Sequence, residues 1–401
     1  MLLSNFQLPC GIQLNNRIAK AALTERLSKK DHLPNQRHIR LYNHWAKNGA
    51  GLLISGNILV DKIHLEAAGN IVITKETPKE SFRIWTKSVT NHGHHFWAQL
   101  NHAGRQTNIF NTLRPLAPSS VKLKKMGFFG LPKQMTDGQV QSTIDAFVHA
   151  VAFCQDVGFT GVQIHAAHGY LLSQFLSPRI NKRNDQWGGS IENRARILFE
   201  IVKQSRKVVG PSFPISVKIN SADFQRGGFE EEDALFVIKR LEALDIDLLE
   251  VSGGTYEDLT FFTQKNLKAS TIKREAYFLE FAKEVRKESR IPLMVTGGFR
   301  TKSLCEQVLK DGALDIIGFG RPFLLDESFP NGFVSGSLDK IEEVNIQAMS
   351  KQILDMAAGG FYDYQIARLA DGLPLDLHFN SNLAAFRLIA NELIKGVAYK
   401  M

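Results

Sequence analysis

His165, His168 and Tyr170 fall within six residues, "HAAHGY", directly behind the apolar run "TGVQI". Two histidines three residues apart raise the question of a metal first. Zinc catalysis wants a third protein ligand and an open position. His102 can be put forward as that ligand, but the expected Asp or Glu ligands are missing from the strand ends. Packing histidines are a second reading. A third treats the pair as hydrogen-bond donors to one substrate oxygen, and it alone gives Tyr170 work. A phenol, with an ordinary pKa of about 10, can hand a proton to a substrate at neutral pH.

Other polar residues fit redox chemistry on a heterocycle. A primary amide, Gln99, can both donate to and accept from a ring edge. A fixed cation, Lys218, suits a ring that turns anionic on reduction, although a lysine there can equally close an ion pair. The turns "TGGFR" and "GFGRP" supply Gly297, Gly298, Gly318, Gly320 and Arg321. Glycine lets backbone N–H groups approach phosphate oxygens, and arginine adds a bidentate contact. Tight turning alone is the simpler use of those glycines. Cation, amide and phosphate cradle together point to flavin mononucleotide.

Such groups must be gathered on one face. Short apolar runs at 17–23, 51–58, 96–100, 161–167, 215–220, 248–254, 292–298 and 315–321 read as strands. Amphipathic stretches separate the later ones, at 139–158, 190–210, 230–245, 275–289 and 301–312. Ser190 reads as an N-cap. Eight strands alternating with helices predict an α/β fold, a (β/α)8 TIM barrel over residues 1–335, with its site at the strands' carboxyl ends. A doubly wound open sheet is the alternative, but no G-x-G-x-x-G follows a strand. Those ends carry Thr24; Ser55, Gly56 and Asn57; Gln99, Asn101 and His102; then His165, His168 and Lys218. Glycine turns follow strands six to eight. Segment 106–139, rich in Pro, Ser, Lys and Gly, reads as an excursion over the barrel mouth after strand three. Residues 336–401 read as a helical tail packing on the barrel, helical to about residue 358.

The chain has 401 residues, 44% hydrophobic and 22% charged, and a net charge of +9. The lysines are scattered and no nucleic-acid module occurs, so neither DNA, RNA nor membrane partners are expected. Three dispersed cysteines, Cys10, Cys154 and Cys305, exclude a C-x-x-C site and suit a reducing compartment. No apolar run approaches bilayer length and "MLLSNFQLPC" is no secretory signal, so a cytoplasmic protein is expected.

The segment "GVQIHAAHGYLLSQFLSPRINKRNDQWGGSIENRARILFEIV", with "NNRIAKAALTE", "WAQLNHAGRQ", "VTGGF" and "GFGRPFL" in order, resembles the Old Yellow Enzyme family of FMN-dependent NADH:flavin oxidoreductases. The resemblance covers about residues 1–335. It implies a flavin pyrimidine beside Ala22, Leu23 and Thr24, backbone contact at Gly56 or Asn57, and the pyrimidine edge on Gln99. Lys218 replaces the frequent arginine at the flavin N1–O2 edge, and Gly297, Gly298, Gly320 and Arg321 match the phosphate site. His165 and His168 match the pair holding a substrate oxygen, with His165 also lining the flavin, and Tyr170 matches the proton donor.

The reaction so implied takes hydride from NADH or NADPH and reduces the C=C bond of an α,β-unsaturated carbonyl compound. The same barrel running oxidatively, as a dehydrogenase or demethylase, is an alternative; a His-ligated metallohydrolase and a non-turnover FMN-binding protein are two others. Ala22 stands where many members have proline, Thr24 where some have cysteine, and Asn101 where some have tryptophan. The cysteine cluster of iron–sulfur relatives is missing, so no such centre is expected. Tyr364 and Arg368 in the tail could reach a neighbouring subunit's site in a homo-oligomer.

Overall fold

A computed structural model describes residues 1–123, 128–252 and 279–398. Eight parallel strands close into a barrel: β1 (Ile18–Lys20), β2 (Leu52–Leu59), β3 (His95–Asn101), β4 (Gly161–Ala166), β5 (Ile215–Asn220), β6 (Leu248–Ser252), β7 (Leu293–Thr296) and β8 (Ile316–Phe319). Each strand pairs with its sequence neighbours and β8 pairs with β1, as right-handed βα crossovers require. All eight expected strands are present, trimmed by a residue or more at several ends. The glycine turn after β6, Gly253 and Gly254, lies outside the described residues.

Helices clothe the barrel: α1 (Gln36–Lys47), α2 (Glu80–Thr90), α3 (Asp137–Asp156), α4 (Ile191–Val209), α5 (Glu231–Glu242), α6 (residues 279–288) and α7 (Lys302–Lys310). The first four residues of the stretch expected as helix over 275–289 lie outside the described residues. Ser190 caps α4, its hydroxyl accepting from Asn193 N, and Gly210 (φ 74°) ends it. Helix α3 starts two residues earlier than its apolar spacing predicts. Thr136 and Gln139 form a reciprocal capping box, which satisfies two first-turn donors and sets the boundary.

The barrel floor is a two-strand antiparallel pair, Phe6–Gln7 with Gln13–Leu14. Leu8 and Leu14 pack there on the barrel-interior side chains of Ala19, Ile54, Trp97, Leu248, Met294 and Ile316. A larger apolar cluster lies between strands and helices. The floor is therefore sealed, which leaves the carboxyl ends of the strands as the open face.

Two findings depart from the sequence reading. "SGN" does not close strand two; it sits inside β2, with a register shift between Ile54 and Asn57. The tail is more helical than expected: α8 (Lys351–Asp371) runs through Gly359 and Gly360 and returns as α9 (Ser381–Ala398). A Cβ at Gly360 would collide with the Ala384 carbonyl, so this glycine admits a crossing helix rather than ending its own. Among the described residues no helix is long and apolar enough to cross a membrane.

Candidate active site

The loop after β1 is held by a buried polar network. Lys20 Nζ donates to Ile54 O (2.9 Å) and to Tyr42 Oη (3.2 Å), and Tyr42 Oη donates to Glu25. Gly56 N donates to Glu25 Oε1 at 2.7 Å. That N–H has left the strand ladder, which is the physical reason for the register shift in β2. A Cβ at Gly56 would collide with the Glu25 carboxylate and the Leu23 carbonyl, so only glycine fits. Burial pushes Lys20 down to about 7, against the pull of Glu25, and raises the Glu25 carboxyl. The network presents Ala22, Leu23 and Thr24, all half-buried, to the barrel mouth. Thr24 Oγ1 donates to Asn57 Oδ1 (3.1 Å), while Asn57 Nδ2 has no partner among the described residues.

A chain of amides and charges crosses the barrel interior from β3 to β6. Gln99 Nε2 donates to Gln163 Oε1 (2.7 Å), and Gln163 Nε2 donates to Glu250 Oε2 (2.8 Å). Glu250 Oε1 stands 2.8 Å from Lys218 Nζ. Lys218 therefore closes an ion pair and is also a fixed cation at the barrel mouth, with further N–H groups left to offer. Sequence reasoning missed Gln163 and Glu250. Both lie inside strand runs, where apolar residues are the expectation, and those buried polar positions were the available signal.

His165, His168 and Tyr170 come together. The His165 ring lies 5.1 Å from that of His168 and 5.0 Å from that of Tyr170, both edge-on. His165 Nδ1 accepts from Ala167 N (3.2 Å), which leaves the proton on Nε2. Burial, then His168 and Lys218, hold His165 well below the ordinary histidine range. Burial and Lys218 do the same to His168. Both are neutral imidazoles at physiological pH. His168 adopts φ 59°, its N–H donates to Asn220 Oδ1, and its Nε2 lies 2.8 Å from Ser252 Oγ. Gly169 (φ 74°) continues the left-handed turn that swings Tyr170 back over His165. Asn220 and Ser252 also escaped the sequence reading, because their spacing to the histidines is purely spatial. Asn101, fully buried beside this group's strands, has neither amide atom satisfied among the described residues.

Strands β7 and β8 bring the two glycine turns side by side. Gly297 (φ 118°) and Gly298 (φ 88°) use conformations open to glycine, and a Cβ at Gly297 would meet nothing within 4 Å. Gly320 has negative φ, and a Cβ there would sit 3.2 Å from Leu23 Cδ2, a tight contact to which the leucine side chain would have to yield. Arg321 lies over the Tyr362 ring at 5.9 Å. A second arginine, Arg300, was overlooked within "TGGFR". It is buried, stands 3.3 Å from Glu343, and is lowered by burial and by Arg321 nearby.

A metal reading of the histidines loses its partner. His102 gathers instead with His64 and Asp61, so a carboxylate is present that the strand ends did not reveal. Three of their four ring nitrogens are already engaged. His64 uses Nδ1 on Asp61 and Nε2 on Leu116 N, and His102 Nδ1 accepts from Gly104 N. Neither His165 nor His168 belongs to this trio.

Two glycine turns with two arginines nearby, a buried amide edge and a barrel cation fit a phosphorylated flavin, and among the described residues Asn57 Nδ2 and Thr296 Oγ1 are buried polar atoms without a hydrogen-bond partner. Fold and site thus define a flavin-binding barrel. By the match of residues 6–337 to its sequence model, the chain belongs to the NADH:flavin oxidoreductase / NADH oxidase family, whose cofactors are FMN and a nicotinamide reductant. The NADH-dependent flavin oxidoreductase iliE of Hypocrea jecorina is 35% identical over 349 residues, 80% of this chain and 86% of that protein. Its namesake in Neonectria sp. is 34% identical over 350 residues, but the chain spans only 45% of its length. The old yellow enzyme homologue of Zymomonas mobilis superposes with a TM-score of 0.72 at 25% identity, over 86% of this chain and 95% of that one.

Proposed function

We propose that the protein reduces the C=C bond of α,β-unsaturated carbonyl compounds with electrons from NADH, the reductant named for its fungal relatives. The observation that carries this reading is the neutral, Nε2-protonated His165 beside His168, with the Tyr170 ring 5.0 Å away. FMN, when bound, supplies hydride transfer between nicotinamide and alkene. In this reading a carbonyl oxygen accepts from the Nε2–H of His165 and from His168 beside it, and these neutral donors stabilise the negative charge that develops there. The Tyr170 hydroxyl delivers the proton that completes saturation at the α-carbon and is reprotonated from solvent.

Ala22, Leu23, Thr24, Gly56, Asn57, Gln99, His165 and Lys218 hold the flavin ring in this reading, and Gly297, Gly298, Gly320 and Arg321 hold its phosphate. Lys218 favours the anionic reduced ring. The three cysteines, none of them in a disulfide among the described residues, suit a cytosolic setting. Tyr170→Phe tests the assignment. Reduction of bound flavin by NADH should stay within about twofold, while reoxidation by cyclohexenone should slow by about 10²–10⁴-fold. Equal losses in both half-reactions would remove the proton-donor role.

A further inference from the structure

Beside Tyr170 opens a cavity of about 220 Å³. That exceeds the roughly 150 Å³ of an apolar cavity known to admit benzene. Its walls come from two segments outside the barrel strands. The excursion after β3 contributes Phe110 and Phe129, and the tail hairpin contributes Met356 from α8 with Leu388 and Ile389 from α9. Gly396 of α9 packs against Phe110, where a Cβ would lie 3.0 Å from the phenylalanine Cβ, so the two walls are joined.

The far end of the cavity is polar but internally matched. Arg26 pairs with Glu66 (2.7 Å) and lies 3.8 Å from Glu392 and 4.0 Å from Asp363. Lys395 Nζ donates to Arg26 O (2.6 Å), and Ala68 N donates to Glu392 Oε2 (3.1 Å). These contacts staple α9 to the loops after β1 and β2. Because Arg26 is already held among three carboxylates, an anionic ligand group would meet negative charge there and would have to break an existing pair.

We propose that the α8–α9 hairpin is the specificity wall of the substrate pocket, selecting alkenes with an uncharged apolar body at least the size of a second ring. The inference rests on the reading of Tyr170 as facing the reacting alkene. An aryl group beyond the enone would lie among Phe110, Phe129, Met356, Leu388 and Ile389, burying apolar surface worth about 25 cal/mol per Å².

Perturbation of the oxidised flavin spectrum measures ligand Kd without turnover, so it is independent of whether the protein is an ene reductase. The probes are benzylideneacetone, its para-carboxylate and 2-cyclohexenone, on the FMN-loaded full chain. Benzylideneacetone should bind at least tenfold more tightly than either of the others. Ile389→Trp, which fills the cavity, should reduce the benzylideneacetone-over-cyclohexenone preference at least tenfold. Leu388→Ala should shift preference towards the larger 4-(2-naphthyl)-3-buten-2-one. FMN stoichiometry reports whether each variant folds, and the two variants act in opposite directions. Equal binding of all probes to the wild type, or an unchanged preference in both variants, would overturn the wall. Tight selective binding without reoxidation of the reduced enzyme would instead leave the wall standing and remove the proposed reaction.

Discussion

Lys218 Nζ stands 2.8 Å from Glu250 Oε1 inside the barrel, and both side chains are buried. The second carboxylate oxygen accepts from Gln163, which in turn accepts from Gln99. The proposed flavin cation and the proposed flavin amide are thus set by one shared carboxylate, contributed by β6, whose Ser252 also lies against His168.

Removing that carboxylate strands a buried ammonium. Glu250→Ala is expected to cost about 3–5 kcal/mol of stability, and pairing it with Lys218→Met should recover much of the loss. Denaturant unfolding of the two single variants and the double variant measures the coupling. Strictly additive losses would contradict a buried pair.

Histidine burial gives a pH dependence with a definite sign. Burial pushes His38 down to about 3, against an ordinary 6.5. The unfolded chain therefore binds the extra proton below pH 6.5, and the folded chain resists it down to about pH 3. Stability from this group is whole above pH 6.5 and is lost as pH falls. At pH 5 the loss is roughly 2 kcal/mol. His38→Gln, which keeps an acceptor for Asn35 N, should gain that amount relative to wild type between pH 7 and pH 5. A pH-independent difference in unfolding free energy would refute the assignment.

Neighbouring glycines in α8 should respond oppositely. Gly360→Ala drives a Cβ into the Ala384 carbonyl and should destabilise the hairpin by about 1–3 kcal/mol. Gly359 has only Leu388 Cδ2 at 3.7 Å, an ordinary contact. Alanine there should be neutral or stabilising by up to about 1 kcal/mol through helix propensity. Thermal unfolding of the two variants decides it, and similar destabilisation by both would contradict the close approach.

Phosphate recognition separates from ring recognition by choice of flavin. Arg321→Ala should weaken FMN binding by about 10–100-fold, the worth of a charge-assisted hydrogen bond. Riboflavin, which has no phosphate, should bind wild type and variant within about twofold. Equal weakening for both flavins would place Arg321 away from the phosphate.

The barrel was legible because its strands are short apolar runs of one period, broken at Gly and capped helices. Its order follows from chain order alone. The tail was misread at Gly359–Gly360 because a glycine pair signals a stop unless the crossing partner is known. The gathering of polar residues at the strand ends was legible for the same reason as the barrel: His165, His168, Gln99 and Lys218 interrupt or follow apolar runs at fixed places. Glu250, Ser252 and Asn220 were not, since their roles depend on which neighbouring strand each faces. The pocket walls were legible only in part. The excursion announced itself by composition, whereas Leu388 and Ile389 look like ordinary helix residues until α9 is seen against Phe110.

The central claim is that reduced enzyme returns its electrons to an activated alkene under the direction of His165, His168 and Tyr170. Its most direct test is anaerobic. The FMN-loaded protein is bleached with one equivalent of NADH and then mixed with benzylideneacetone, while the flavin absorbance and the product are followed. The expected result is recovery of the oxidised spectrum with one equivalent of the saturated ketone. A spectrum that stays bleached, or that recovers without loss of the C=C bond, would contradict the account.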